Sequence, residues 1–345
     1  METDMDKRNF IQTIGCLFLG SLLLGACEGS GLPDVPQPEE EVLQLQSVDM
    51  AGDPAASTRA AVTSVETISV YATKTTHAEY GSNPLSKYTL SGGSWSSDNA
   101  PLIATENGGE AYLYACYPVV SSVSNRTDGN HTVAASVNVT AGSRDFKATD
   151  QDDYLYASPV TGGKNTVTVS SVEYTHVTSS LRTVSFSMRH ALAKVSFKVK
   201  KSTAATEKLL LKSVEILSAT NRLQTGVGTM NLRTGVLNGL ASVSSLTLTD
   251  ATGVTLTTTL TNPNVTCLIA PMTASESILS FRLTVRVDGE TADRTFETKV
   301  VNAVQWTAGN HYVYTITVDK MKAGLNGIQI DDWKSDANQN TNIGI

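Results

Sequence analysis

The sequence has few cysteines, few aromatic residues and few charges, and it has no excess of basic residues. It contains four cysteines in 345 residues, which is too few for the dense disulfide framework of a small secreted scaffold. Lys and Arg together number 26 against 33 for Asp and Glu, which gives a net charge of −7. Proteins that bind nucleic acid usually present a basic face to the phosphates, so this balance argues against nucleic acid as a partner.

Sequence motifs that carry catalytic or metal chemistry are also lacking. The sequence contains no His-Glu-x-x-His, no Gly-x-Ser-x-Gly and no glycine-rich phosphate loop. Asp150, Asp152 and Asp153 are close together but lack the glycine and glutamate of an EF-hand loop. The five histidines do not show metal-ligand spacing; they are His77, His131, His176, His190 and His311. We therefore expect no enzymatic activity, no metal site and no cofactor.

An apolar run from Phe10 to Ala26 lies near the N-terminus, directly after Lys7 and Arg8. A basic start followed by a short apolar stretch is typical of a secretory signal, and about 17 residues are marginal for a membrane-spanning helix. The run ends in Leu24-Gly25-Ala26-Cys27, which resembles the lipobox of bacterial lipoproteins. This resemblance implies a signal peptide over residues 1–26 and lipid attachment at Cys27; the alternative is an ordinary apolar Cys27 beside a conventional cleavage site.

Residues 27–59 are rich in proline, glycine and acidic residues. Pro33, Pro36 and Pro38 are followed by the run Glu39-Glu40-Glu41. Such residues keep a segment extended and solvated, so we predict a flexible tether or propeptide over this range.

From residue 60 onward, apolar and polar residues alternate with a period of two, and Gly, Asn and Asp separate the runs. This pattern, with no sustained 3.6-residue stripe, predicts an all-β chain of antiparallel sandwiches. Asp288-Gly289 predicts a hairpin between Ile278–Val287 and Arg294–Val300. We place an N-terminal sandwich at 60–187, a C-terminal sandwich at 188–333 and a polar tail at 334–345.

Several short motifs, in order and at characteristic spacing, resemble the fimbrillin family of Bacteroidales, in particular its Mfa-like branch, over about residues 10–333. Besides the lipobox, they are Thr58-Arg59-Ala60, Tyr117-Pro118, the segments 150–157 (DQDDYLYA) and 189–195 (RHALAKV), and the segments 306–314 (WTAGNHYVY) and 328–333 (IQIDDW).

The resemblance implies two transthyretin-like antiparallel β-sandwich domains in tandem and a role as a structural subunit of a surface fimbria. Such subunits are exported as lipoproteins, anchored in the outer membrane by acyl chains such as palmitate, and matured by a trypsin-like protease. They assemble with other fimbrial subunits by donor-strand exchange, in which a vacated sheet edge accepts the strand of a neighbour.

Carried over to this sequence, the resemblance places protease cleavage between Arg59 and Ala60. It assigns the exchanged strand to about residues 62–72, with Val65, Ile68 and Val70 among its apolar residues, although Val65 is out of register with the other two. Two alternatives remain open: Arg59 is an ordinary linker arginine, or the first strand stays in place.

The donor is assigned to the C-terminal strand, with Ile328, Ile330 and Trp333 as its apolar residues and Gly324 and Gly327 as a hinge. The plainer alternative is a terminal strand packed on its own domain, followed by a polar tail.

The competing functional hypothesis is a monomeric surface lipoprotein that binds glycans and retains residues 60–72. Trp95, in a Gly- and Ser-rich segment, is the aromatic residue we would test for ligand contact. Cys116 and Cys267 lie in apolar runs, where they form either a disulfide or two buried free thiols.

Overall fold

Strands make up all the regular secondary structure that the structure describes. The computed structural model describes residues 42–50, 65–101, 103, 109–139, 146, 151–274, 278–300, 303–319, 323–332 and 342–343. These residues contain 24 strands and no helix, which confirms the predicted all-β class. Within this part of the chain there is accordingly no helix with the length and apolar character needed to cross a membrane.

The strands follow one another along the chain with the following bounds: β1 Gln44–Met50, β2 Thr67–Thr73, β3 Leu85–Ser91, β4 Ser94–Ser96, β5 Glu110–Tyr117, β6 Thr132–Val137, β7 Leu155–Ser158, β8 Thr166–Val169, β9 Val172–Thr178, β10 Thr183–His190, β11 Ala193–Lys201, β12 Leu209–Ser218, β13 Leu223–Asn231, β14 Leu237–Asn238, β15 Ala241–Val243, β16 Ser245–Thr255, β17 Val265–Ile269, β18 Met272–Ala274, β19 Leu279–Val287, β20 Asp293–Lys299, β21 Val304–Trp306, β22 Asn310–Val318, β23 Ala323–Asp332 and β24 Asn342–Ile343.

Most neighbouring strands are antiparallel, as the alternating pattern predicts. The predicted hairpin is present as β19 and β20, and Gly289 in its turn has a φ of +87°, a conformation that glycine adopts without strain. Two pairs are parallel instead, β1 with β10 and β11 with β22. Parallel neighbours need long crossover connections, which an alternation pattern does not reveal.

A nine-stranded sheet forms the N-terminal half of the described fold. Its main order is β1-β10-β7-β5-β2-β3-β4, and β9 with β8 is attached to β5. One face carries the aliphatic residues of its central strands, such as Ile68, Val70 and Leu113, into a buried core. The opposite face carries tyrosines, among them Tyr71, Tyr112 and Tyr114. The sheet is therefore buried on both faces, with cores of different chemistry.

A sandwich of two further sheets forms the C-terminal half. One sheet has the order β17-β11-β22-β23-β24 and the other has the order β16-β12-β19-β20. The apolar side chains of β11, β12, β19 and β22 fill the space between them as one continuous core. Alternate burial along β19 shows the period of two that a strand with one buried face requires.

Strands from the two halves pair with each other across the predicted domain boundary. The boundary predicted between residues 187 and 188 falls inside β10, and the chain passes to β11 through Ala191 and Leu192. β6 from the N-terminal half pairs with β13 from the C-terminal half. Residues from Glu40 to Ile345 cluster as one compact unit, and the count of two domains stays a prediction.

The prediction of a solvated tether over 27–59 is wrong for its described part, because Gln44–Met50 form β1. Apolar and polar residues alternate in this segment, but the alternation is interrupted, so the sequence predicts a strand only weakly. Their burial against the N-terminal core stabilises the strand where the local composition does not. The predicted signal peptide 1–26 and the rest of the tether, apart from residues 42–50, lie outside the described residues.

A cluster of three aromatic rings lies at the centre of the C-terminal core. Phe281 contacts Phe197 and Tyr314 edge-on, with ring centroids 4.9 and 4.7 Å apart. The buried indole Nε1–H of Trp306 donates a hydrogen bond of 2.9 Å to the Tyr314 hydroxyl. This bond connects the small β18–β21 sheet to the sandwich and satisfies both buried polar groups.

We expect Tyr314→Phe to destabilise the fold by about 1–3 kcal/mol, because it leaves the buried Trp306 N–H without an acceptor. Chemical denaturation monitored by tryptophan fluorescence measures this loss. The matched change Tyr117→Phe, at a half-buried tyrosine of the nine-stranded N-terminal sheet, should lower the free energy of unfolding by less than about 0.5 kcal/mol. Equal losses in the two variants would contradict this role of the hydrogen bond.

Candidate functional site: the groove occupied by strand β1

Strand β1 lies at one edge of the N-terminal sheet and has one strand neighbour. It pairs in parallel with β10, with Leu45 opposite Val184 and Met50 opposite Met188. The pairing register shifts between Leu45 and Ser47, so that Gln46 forms a bulge. The bonds to β10 satisfy the edge of β10, which is otherwise a row of unpaired N–H and C=O groups.

Four apolar side chains of this segment point into the N-terminal core. Leu43 is 2% exposed and Leu45 is 7% exposed, while Val48 and Met50 are half-buried against the same core. The bulge at Gln46 explains their spacing, because it moves the inward positions by one residue after Leu45. These four residues are not among those predicted from the sequence. The sequence signal for them is an alternation of apolar and polar residues that resumes one residue late, after Leu45.

The side of β1 that faces away from β10 is closed by the other end of the same sheet. The backbone N–H of Leu43 donates to the Pro101 carbonyl at 3.0 Å, and β1 also contacts β4. The buried Tyr88 hydroxyl donates to the Leu43 carbonyl at 3.0 Å, and burial raises the Tyr88 pKa above its usual range. β1 therefore fills a groove between β10 and the β3–β4 edge.

The residues predicted to form the exchanged strand lie at the centre of the sheet instead. Ile68 and Val70 belong to β2, which is hydrogen-bonded to β3 on one side and to β5 on the other. Both side chains are fully buried, and Val65 packs against the same core just before the strand. Arg59 precedes β2, so a cut there leaves β2 in the body of the protein. The strand upstream of the predicted cut is β1, whereas β2, to which the sequence assigns the exchange, lies downstream of it.

The C-terminal strand β23 repeats the spacing of β1. Its half-buried apolar residues Ala323, Leu325, Ile328 and Ile330 pack against the C-terminal core. Its pairing with β22 skips one residue, Asn326, at a bulge. If positions are counted from Leu43 in one segment and from Ala323 in the other, the apolar side chains lie at offsets 0, 2, 5 and 7 in both. Each bulge adds one residue between the second and the third apolar side chain.

Strand β23 stands near the edge of its own sheet. Beyond it, among the described residues, lies the two-residue strand β24, which pairs Ile343 with Ile328 and Asn342 with Gln329. β23 packs on the core of its own domain, and the assignment of the donor strand stays a prediction. The side chain of Trp333, like Cys27, Arg59 and Ala60, lies outside the described residues.

Other candidates from the sequence do not form a site. Trp95 is half-buried and packs against the N-terminal core, so part of its ring is covered by the core. Cys116 and Cys267 are both free and buried, and burial raises the pKa of each thiol to about 12. Thiols of this kind are structural rather than reactive.

The acidic segment at residues 150–153 makes specific contacts in its described part. Asp153 pairs with His190 at 2.8 Å. The Gln151 side chain bonds both backbone groups of Leu268, donating to its carbonyl at 3.0 Å and accepting from its N–H at 2.8 Å. The two Gln151 bonds join the segment before β7 to β17. In the described residues no group of three or more His, Cys, Asp or Glu could hold a metal ion.

We expect Leu45→Ala to lower the free energy of unfolding by about 2 kcal/mol or more, because it removes a buried side chain from the groove. Urea denaturation of the uncut protein measures the change. Gln46→Ala, at the exposed neighbouring bulge residue, is the matched control and should change stability by less than about 0.5 kcal/mol. A small effect at Leu45 would mean that β1 contributes little to the core.

Comparison with solved structures identifies the same fold in other proteins. A candidate cell adhesion protein from Bacteroides uniformis matches 85% of this chain and 99% of its own, with a TM-score of 0.53 and 19% identity. A fimbrial protein from Bacteroides vulgatus matches 85% of this chain and 99% of its own, with a TM-score of 0.53 and 12% identity. At these identities the likeness concerns the fold. No curated protein matches the sequence significantly.

A family profile described as fimbrillin-like matches residues 56–333, which is well over half of the chain. The match begins just before Arg59 and ends at Trp333, so it spans both halves of the described fold. It supports a structural, non-enzymatic role as a fimbrial subunit at the cell surface, assembled with other subunits. The chain belongs to the fimbrillin-like family.

Proposed function

We propose that this protein is a surface lipoprotein, anchored in the outer membrane through Cys27, that is cut by a trypsin-like protease after Arg59 and polymerises into a fimbria by strand exchange. The observation that carries the proposal is the position of β1. It lies upstream of Arg59 in the chain, yet it fills a groove in the part of the protein that lies downstream.

Cleavage after Arg59 changes the connection of β1 to the body from covalent to noncovalent. Before the cut, β1 competes for the groove as part of the same chain, at a high effective concentration. After the cut, a segment that leaves the groove is free to diffuse away. β1 is then held by its bonds to β10 and by four apolar side chains, two of which are only half-buried.

An empty groove has strong reasons to accept another strand. The edge of β10 exposes unpaired backbone groups, and the Tyr88 hydroxyl loses the Leu43 carbonyl that it bonds. The apolar trough that held Leu43 and Leu45 opens to water. An incoming strand with suitably spaced apolar side chains satisfies the backbone and covers the trough in one step.

The structure supports β23 of a second copy as that strand. Its apolar residues have the 0, 2, 5, 7 spacing of β1, so Ile328 and Ile330 reach the groove in register with its pockets. The spacing is symmetrical and reads the same in both directions along the strand. In its home sheet β23 buries these side chains only in part, whereas the groove buries the first two side chains of β1 almost completely.

The same spacing in β1 and β23 favours a polymer of identical subunits. A chain that carries both the groove and a matching strand can act as acceptor and donor, which is what a stalk subunit requires. The alternative role of a monomeric glycan-binding lipoprotein has no specific support, because Trp95 packs against the core.

We expect Arg59→Ala to abolish polymer formation, because β1 then remains covalently linked to the body and keeps the groove filled. Gels run without heating should show a ladder of polymers for the native protein and only monomer for the variant. Mass spectrometry of the native polymer should find Ala60 as the N-terminal residue. Arg222→Ala, at an exposed arginine, is the control and should polymerise normally. Ladders that persist in Arg59→Ala would place the maturation site elsewhere.

We also expect a synthetic peptide of residues 323–332 to bind the cut protein and to block polymerisation. The control peptide lacks only Asn326, which shifts the apolar offsets from 0, 2, 5, 7 to 0, 2, 4, 6 and removes the bulge. The full peptide should bind at least tenfold more tightly than the control, as measured by fluorescence anisotropy. Equal binding of the two peptides would contradict the spacing argument, and binding of neither would assign the donor to another segment.

A further inference from the structure

The tyrosine-bearing face of the N-terminal sheet contains polar atoms that lack partners. This face lies on the other side of the sheet from the groove and carries Tyr71 and Thr73 on β2 and Tyr114 on β5. The loops at residues 74–80 and 126–131 and the turn after β13 cover it. The layer between sheet and cover is closed to solvent at these side chains.

Six buried side-chain atoms in this layer have no hydrogen-bond partner of standard geometry: Tyr71 Oη, Thr73 Oγ1, His77 Nδ1, Tyr114 Oη, His131 Nε2 and Arg233 Nε. The hydroxyls of Thr73 and Tyr114 are close enough to interact with each other. One further atom of this kind, Asp153 Oδ1, occurs elsewhere in the described residues. Buried polar groups in native proteins almost always have a partner, from the protein, water or a bound ion. Six in one layer indicate a shared partner.

The six groups lie close to one another around His131. Its ring centroid is 5.3 Å from that of Tyr71, 4.8 Å from that of Tyr114 and 6.1 Å from that of His77. Arg233 is near enough to Tyr114 to act on it electrostatically, and its Nη2 donates to Asn130 Oδ1 at 3.3 Å. The orphaned atoms therefore come from five separate segments of the chain and meet in one place.

The groups of this cluster can act as hydrogen-bond donors. The Arg126 backbone N–H donates to His131 Nδ1 at 3.2 Å. Burial, followed by the effect of His77, lowers the His131 pKa to about 4, so the ring is neutral at pH 7 and its single proton is on Nε2, where it faces the layer. Burial, followed by the nearby Glu79, raises the Tyr71 pKa to about 12, which keeps that hydroxyl protonated.

The charge of the layer is positive at its centre. No described carboxylate forms an ion pair with Arg233. The acidic residues nearby are exposed or already engaged. Asp128 bonds Arg126 and the Asn130 N–H, Glu110 faces His176 at 3.6 Å, and Glu79 is exposed. A partly buried guanidinium without a counter-charge is costly and favours a bound anion.

The backbone of the cover is shaped to hold His77 in this layer. His77 has a φ of +64°, which is uncommon for a residue with a side chain. Its ring lies against Gly129, where an added Cβ would be 2.8 Å from His77 Cε1. Strained conformations of this kind persist where the surrounding structure enforces them, often at binding sites.

We propose that this layer is a binding site for a small inorganic anion of the size of chloride, held by Arg233, the His131 Nε2–H and the hydroxyls of Tyr71, Thr73 and Tyr114. The fixed positive charge of Arg233 and the His131 Nε2–H disfavour a cation, and the three hydroxyls can turn their protons towards an anion. The bound anion connects β2 and β5 to the turn after β13 and so ties the two halves of the fold together. This inference does not depend on the proposed function.

Thermal unfolding of the full-length protein in detergent tests the site, with sodium chloride compared against sodium gluconate at equal ionic strength. Gluconate is too large for an enclosed site, so only chloride should stabilise. We expect a saturable rise in the unfolding midpoint of about 2–4 °C once chloride exceeds its dissociation constant severalfold. Arg233→Gln should lose this rise, and the exposed-arginine control Arg222→Gln should keep it.

Crystals soaked in bromide give a second readout that needs no variant. An anomalous peak within hydrogen-bond distance of Tyr71 Oη, Tyr114 Oη or Arg233 Nε supports the proposal. Ordered water alone in the layer, or equal unfolding midpoints in the two salts, would overturn the proposal. A bromide peak that appears solely at molar salt would indicate an adventitious ion only and would also overturn it. If Arg233→Gln does not fold, Tyr71→Phe replaces it, with the same expected loss.

Discussion

The edge of strand β10 is the constraint on which the rest of the molecule depends. A sheet edge that borders an apolar trough cannot remain empty in water, because its backbone groups and its core side chains would both be exposed. In this chain β1 covers the edge, and the far wall of the groove, with Tyr88 and Pro101, bonds β1 as well. Arg59 lies in the connection between β1 and β2, so the proposed cut would separate the covering strand from the body.

In the proposed strand exchange, the bulge makes the groove selective. A regular strand places apolar residues at every second position, and it would set half of its side chains out of register beyond Leu45. Both β1 and β23 contain one extra residue, Gln46 and Asn326, at the same place in the pattern. In that proposal, strands without the extra residue, which are the majority in this fold, are poor competitors for the groove.

The all-β class, most strand positions and the β19–β20 hairpin could be predicted from alternation and turn residues. β1 could not, because Leu45 and Val48 are three residues apart and the segment follows an acidic, proline-rich stretch. The parallel pairing of β1 with β10 depends on contacts more than 130 residues apart in the chain, which no local pattern contains. Proximity to Arg59 in sequence likewise does not show that Ile68 and Val70 lie between two neighbouring strands. The cluster around His131 was likewise invisible, since its histidines have no common spacing.

Electron cryo-microscopy of fimbriae sheared from the cell surface tests the central claim most directly, because side-chain density identifies the strand that pairs with β10. We expect residues 323–330 of a neighbouring copy in that position, with a bulge at Asn326 and no density for residues 1–59. Density for residues 43–50 beside β10 in the polymer would contradict strand exchange, since the groove would then never have been vacated.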